Sequence, residues 1–265
     1  MDVAEPYIGV TGLTSLEEVF NVTNLFEKEF SKNFTHVPMI GFLVSYKSLS
    51  NLPILNRRYP SLDVLPKLIN CCKNKKVFPT IHYNSKEEGL AKQISSFLGN
   101  KIYQEGLCRG LQLNIPWPRI EEIEKIKENH PELKIIFQAS KDVLNSGSKS
   151  SIIERISDYN ALIDYVLIDP SGGNSLDFNE EFSCNFYKEL LKKRPKLKIG
   201  FAGGLNGENV FLRMKSLEKT LGKIDFCIDA EGGLRDKLSP AYGDDLLNLN
   251  KVRSYLSGAK RALVN

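Results

Sequence analysis

Eight short apolar runs alternating with amphipathic stretches, strand bodies nearly free of charge, and no linker dividing the chain predict an α/β fold. The expected architecture is a single (β/α)8 TIM barrel, one domain over residues 1–265. Apolar runs of this kind suit strands buried on both faces of a parallel sheet. Eight units favour closure over a doubly wound sheet, which usually needs fewer strands. The 265 residues suffice, since such barrels commonly use about 250 residues as one domain.

The first strand is expected over residues 7–12, before a capping box, Ser15-Leu16-Glu17-Glu18, and a helix that keeps Leu16, Val19, Phe20, Phe26 and Phe30 largely on one face. Residues 37–45 form the second strand. The least regular helix follows around Pro66, with Leu65, Leu68, Ile69 and Cys72. Strand 77–83 leads to a second box, Ser85-Lys86-Glu87-Glu88, ahead of Leu90, Ile94, Phe97 and Leu98. Strand 110–115 precedes Pro118, placed where a first helical turn tolerates it, before Ile120, Ile123 and Ile126. Strand 133–139 comes before a third box, Ser151-Ile152-Ile153-Glu154, and the stripe Ile156, Tyr159 and Ile163. After strand 165–169, a basic run from Lys188 to Lys198 reads as a solvated helix end with favourable dipole contacts. Strand 197–202 precedes Val210, Met214, Leu217 and Leu221; strand 224–229 precedes Leu249, Val252 and Leu256.

Composition sets the class. Apolar residues make up 42% and charged residues 26%, the balance of a globular protein and not of a disordered, collagenous or disulfide-stapled chain. A net charge of +4, scattered among many acids, points to no nucleic-acid and no membrane partner. The longest apolar run, residues 37–44, is strand-sized and far short of a bilayer span. Asp2 and Glu5, with no basic segment, are unlike a signal peptide. The five cysteines (71, 72, 108, 184 and 227) lack C-x-x-C spacing, and free thiols in a reducing cytoplasm are expected.

In a barrel of this kind, ligands bind at the C-terminal ends of the strands. Those ends carry Thr11, Ser45, His82, Asn114, Gln138, Asp169, Gly203 with Gly204, and Asp229 followed by Glu231. A purely structural barrel needs no such polar ring. Gly203-Gly204 and Gly232-Gly233 follow the seventh and eighth strands, where barrel enzymes commonly bind phosphate at a short extra helix. Tight turns alone would also account for them. Asp169, ending an apolar strand, is expected to gain a raised pKa from desolvation and to act as a general acid. A capping Asp is the plainer alternative. Asp229 could pair with it across the mouth, dividing acid and base roles. His82 is a candidate base, although a lone His is more often packed or hydrogen-bonded. Three scattered His predict no metal site, and no P-loop, Rossmann or G-x-S-x-G motif implies a cofactor.

Several segments, taken in order, carry a further signal. They are Gly9-Val10-Thr11-Gly12-Leu13-Thr14, Gly41-Phe42-Leu43 with Lys47-Ser48, Leu111-Gln112-Leu113-Asn114, Leu167-Ile168-Asp169 with Gly172-Gly173 and Asp177, Ala202-Gly203-Gly204-Leu205 with Asn209-Val210, and Asp229 through Gly233. Together they resemble the phosphoribosylanthranilate isomerase family, barrel enzymes of tryptophan biosynthesis. The resemblance covers most of the chain and is most specific from the sixth strand onward. It implies Asp169 as general acid, Asp229 as a substrate-side carboxylate, and the Gly203, Gly204 and Gly233 amides as a phosphate cradle. Thr11, Lys47, Asn114 and Gln138 are expected as substrate contacts. Four positions depart from the family. Its catalytic Cys falls on Thr11, its carboxylate-binding Arg on Ser50 (with Arg57 and Arg58 nearby), its fourth-strand His on Asn114, and its first phosphate-side Ser on Glu231. Glu231 would repel a phosphate unless it points away or pairs with a cation.

An acid and part of a cradle survive, while the base and the carboxylate anchor do not. The pattern points away from the family reaction itself. It suggests an enzyme acting on a phosphorylated small molecule by isomerase or lyase chemistry, with Asp169 as acid and Asp229 or His82 as base. The alternatives are a barrel that binds a small ligand or partner without catalysis, and one with unrelated chemistry, such as a flavin phosphate at the same loops.

Overall fold

In the computed structural model, which describes residues 4–30, 34–73, 75–99, 102, 105, 107–171 and 180–264, eight parallel strands pair in chain order. They are β1 (Tyr7–Thr11), β2 (Val37–Ser45), β3 (Phe78–Asn84), β4 (Gly110–Leu113), β5 (Lys134–Ser140), β6 (Tyr165–Asp169), β7 (Lys198–Ala202) and β8 (Cys227–Ala230). The pairs Ile8↔Ile228 and Gly9↔Asp229 join β8 to β1 and close the barrel. Every expected strand is present with ends within three residues. The largest difference is at β8, which starts at Cys227 because Asp225 turns outward to Lys198 and Lys223.

The helices are α1 (Leu16–Glu29), α2 (Tyr46–Leu49), α3 (Leu65–Asn70), α4 (Leu90–Leu98), α5 (Ile120–Asn129), α6 (Lys141–Leu144), α7 (Lys149–Asp158), α8 (Glu180–Lys193), α9 (Val210–Leu221) and α10 (Leu249–Val264). The Ser15 box caps α1, with the Glu18 amide donating to Ser15 Oγ at 3.2 Å and Glu18 accepting from the Ser15 amide. The other expected starts are corrected. Ser85 Oγ instead accepts from Glu87 in a local turn. α4 begins beyond it at Leu90, and its Ala91 amide is taken by the Glu122 carboxylate of α5. α7 is capped by Ser148, which accepts from Ser151. Pro118 lies before the Arg119 cap of α5, and its carbonyl accepts from the Tyr159 hydroxyl at 2.6 Å.

Side-chain alternation divides the core in two. Ile8, Val10, Ile81, Leu111 and Phe201 face outward and pack under the helices. Tyr7, Met39, Phe78, Tyr165 and Cys227 fill the barrel interior. Tyr7, Phe78 and Tyr165 form its aromatic floor, with centroids 5.5–6.2 Å apart. Each fully buried apolar side chain contributes about 1.5–3 kcal/mol, so the interior below the strand ends is closed by packing. One feature is absent from the expected pattern. Between β8 and α10 lies an antiparallel hairpin, β9 (Arg235–Lys237) and β10 (Asp245–Leu247), beside the mouth.

Candidate active site

The strand ends open on a cavity of about 60 Å³ lined by residues of β3 to β8 and by Arg58. His82, Asn114, Gln138, Asp169, Asp229 and all four cradle glycines line it, as the strand-end reading expects. Gln112 and Ser171 line it as well. Gln112 sits two residues before Asn114 on the same side of its strand and donates to Asn114 Oδ1 at 2.9 Å. A strict period of two would have found it. Thr11 lies in the floor, fully buried. Lys47 does not join the group: it is exposed on α2. Ser45 is occupied in capping that helix. Gly172, Gly173 and Asp177 lie outside the described residues.

The two carboxylates occupy different environments. Asp169 Oδ2 accepts from Gln138 Nε2 at 2.7 Å, and its Oδ1 accepts from the Ser171 hydroxyl at 2.6 Å and the Ser171 amide at 3.1 Å. Three donors thus aim at Asp169. Asp229 accepts from Thr11 Oγ1 at 2.9 Å. Burial pushes its pKa up to about 7; the Thr11 hydroxyl opposes the rise, and the charges of Glu231 and Asp169 add to it. Asp229 is thus a carboxyl held above the usual carboxylate range by its burial. Space for this arrangement comes from two glycines. A side chain on Gly9 would overlap Asp229, and one on Gly41 would overlap both Thr11 Oγ1 and His82 Nε2.

His82 is buried, and its Nε2 has no hydrogen-bond partner among the described residues. Burial holds its pKa down at about 3. A neutral imidazole that resists protonation is a weak base near pH 7, which argues against His82 in that role.

Gly203 and Gly204, at φ +110° and +65°, turn the chain sharply after β7. Gly232 and Gly233 open a short 3-10 turn after β8. Gly233 is tight against the Leu205 carbonyl, leaving no room for a Cβ. Among the described residues, no turn or loop carbonyl accepts from these four amides. All four residues line one end of the cavity.

Glu231 stands beside them, paired with Arg58 Nη1 at 2.6 Å. Arg58 is the centre of a clasp across the mouth. Its other guanidinium atoms grip Asp245 of β10 at 2.5–3.2 Å. Arg235 of β9 grips the same Asp245 at 2.5 Å and reaches the Gly12 carbonyl at 3.0 Å. Tyr242 covers the Arg58 guanidinium, 4.9 Å from its ring centroid. Burial opposes the Arg58 charge, but Asp245 and Glu231 outweigh it and raise the pKa overall. Of the two arginines near the family's anchor position, Arg57 is half-exposed on Asp244 and Arg58 is committed to the clasp.

No family model matches the chain. The N-(5'-phosphoribosyl)anthranilate isomerase of Petrotoga mobilis is 29% identical over 150 residues, which span 51% of this chain and 70% of that one. The chain is a divergent phosphoribosylanthranilate isomerase-like (β/α)8 barrel. Solved structures agree on the fold. A chitinase catalytic domain from Pyrococcus furiosus is 13% identical and superposes with a TM-score of 0.60 over 100% of this chain and 98% of its own. KGPDC from Streptococcus mutans is also 13% identical, with a TM-score of 0.55 over 99% and 100%. Within this isomerase-like barrel, the structure answers one question left by the sequence: Glu231 does pair with a cation. Among the described residues no cluster of His, Cys, Asp or Glu is placed to hold a metal ion, and no helix is long and apolar enough to cross a membrane.

Proposed function

We propose that the barrel mouth binds a phosphorylated small molecule and catalyses proton transfer on it, as an isomerase or a lyase. The observation that carries this reading is the cavity itself: it is lined by two buried carboxylates of unlike environment and by four glycines whose amides have no turn or loop carbonyl partner among the described residues. The amides of Gly203, Gly204, Gly232 and Gly233 hold the phosphate, and pairing with Arg58 offsets the Glu231 charge beside it. Asp229 is the acid and gives its proton to a substrate oxygen or nitrogen. Asp169 is the acceptor and takes a proton from an adjacent carbon. In an isomerisation the substrate's proton count is unchanged, and exchange with water through the mouth resets the pair. Thr11 orients Asp229 and is not itself a base.

The test uses the whole chain. Inorganic phosphate and ribose 5-phosphate at about 100 times their dissociation constants should stabilise the fold by roughly 2.7 kcal/mol, and Gly204→Asp should abolish the effect. A panel of sugar phosphates incubated in D2O should show protein-dependent deuterium incorporation by NMR. That rate should fall as pH rises through about 7, where Asp229 loses its proton, and drop at least ~100-fold in Asp229→Asn. Failure of every phosphorylated ligand to stabilise the protein would overturn the phosphate site. Stabilisation without exchange would favour the second reading, a ligand-binding barrel without turnover, which the Thr at position 11 supports by leaving no thiolate base.

A further inference from the structure

The cavity has a second end, opposite the glycine amides, formed by β3, β4 and β5. Here His82 and Gln112 are side-by-side register partners, and both are nearly fully buried. His82 Nε2 and Gln112 Oε1 are left without a hydrogen-bond partner. Two unpaired polar atoms on neighbouring strands at this depth cost about 1–3 kcal/mol each, a cost that hydroxyls of a ligand reaching them would offset. Asn114 and Gln138 continue the same surface toward the mouth, each binding a neighbour through one half of its amide, Oδ1 of Asn114 and Nε2 of Gln138.

We infer that this end holds a neutral polyhydroxylated chain, so that the substrate class is a sugar phosphate without an aromatic acid. The inference rests on the phosphate reading above and extends it to the other half of the ligand. Each hydroxyl both donates and accepts, which suits a surface of amides and an uncharged imidazole. An aromatic ring would need apolar faces, whereas the described lining residues of β3 to β5, His82, Gln112, Asn114 and Gln138, are all polar. A second carboxylate would need a free cation. Arg58 is the one Lys or Arg among the described lining residues, and it is held by Asp245 and Glu231. Three carboxyl groups, Asp169, Asp229 and Glu231, also line the cavity and repel further negative charge.

Calorimetric titration of the full chain tests this with inorganic phosphate, ribose 5-phosphate, ribose and a phosphorylated aromatic acid, 2-(phosphonooxy)benzoate. Ribose 5-phosphate should bind about tenfold more tightly than inorganic phosphate, the worth of two net hydrogen bonds. The aromatic acid should gain nothing over phosphate. Gln112→Met and the milder Asn114→Ala should each remove most of the ribose increment and leave inorganic phosphate within about twofold. Asn114→Ala keeps the test open if Gln112→Met fails to fold. Equal affinity for phosphate and ribose 5-phosphate, tighter binding of the aromatic acid, or equal losses for both ligands in a folded variant would overturn the inference. If inorganic phosphate does not bind, the phosphate reading is what fails. Ribose alone then decides the hydroxyl subsite: binding weakened by Asn114→Ala upholds it, and no binding overturns it.

Discussion

Replacing Asp229 with Asn should make the protein more stable, and increasingly so as pH rises. The side chain is buried and its pKa stands at about 7 in the fold against a reference of 3.8. Below both values it is protonated in folded and unfolded chains and contributes nothing. Between them the unfolded chain ionises while the folded one keeps its proton, so wild-type stability is lost as pH climbs from about 4 to 7. Linkage gives a penalty of roughly 2 kcal/mol at pH 5 and roughly 4 kcal/mol at pH 8. Asn does not titrate, and its Oδ1 can still accept from Thr11 Oγ1. The advantage of Asp229→Asn over wild type should therefore widen by roughly 2–3 kcal/mol between pH 5 and pH 8, or about 5 °C in Tm. Urea unfolding and thermal melts at both pH values measure it. Only the change in the gap matters, because the substitution also alters packing. A gap that stays constant within about 1 °C would refute the buried-carboxylate argument and the acid role built on it.

Other perturbations separate the parts of the mouth. Gly233→Ala places a methyl against the Leu205 carbonyl, so it should cost about 1–3 kcal/mol and weaken inorganic phosphate in calorimetry; unchanged phosphate affinity would remove Gly233 from the cradle. Glu231→Gln should tighten sulfate binding a few-fold at low salt, an effect that shrinks near ~0.5 M salt as charges are screened. Arg58→Met leaves Glu231 without its cation and Asp245 held by Arg235 alone, and should lower unfolding free energy by up to about 3–5 kcal/mol in urea titrations; a loss under about 1 kcal/mol would show that the clasp does not hold the loops. Sulfate stays dianionic across neutral pH, so its affinity should weaken as Asp229 ionises above about pH 7 and become independent of pH in Asp229→Asn.

The barrel was legible because its strands are short, apolar and charge-poor, and because a parallel barrel puts one polar residue at most strand ends. Asp169, Asp229, His82 and the two glycine pairs follow from that rule alone, and the cavity gathers them. What sequence could not supply depends on contacts between distant segments. Arg58 and Asp245 are 187 positions apart, and the hairpin that carries Asp245 has strands of three residues each, too short and too charged for periodicity to mark. The same limit hid the surroundings of the two carboxylates. Asp169 looks like the desolvated acid in its own strand, Tyr165–Asp169, but its donors come from Gln138 on β5 and from Ser171 after the strand. Lys47 fails for a local reason: Ser45 starts a helix immediately after β2 and carries Lys47 to the outside.

The clasp also explains how a carboxylate can stand at a phosphate-side position. Arg58, Arg235, Asp245 and Glu231 carry two charges of each sign, so together they add no net charge beside the glycine amides. The cost is that Arg58 is no longer free to hold a carboxylate of the ligand, since two acids already compete for its donors. One network of ion pairs thus engages Arg58 and Glu231 together and ties the β9–β10 hairpin to the loop before α3 at the mouth. On the proposed reading, a barrel built this way grips one anionic group and moves a proton, and its described lining residues leave no free cation for a second anion. On the same reading, the amide-lined end between His82 and Gln138 is where the identity of the ligand is decided.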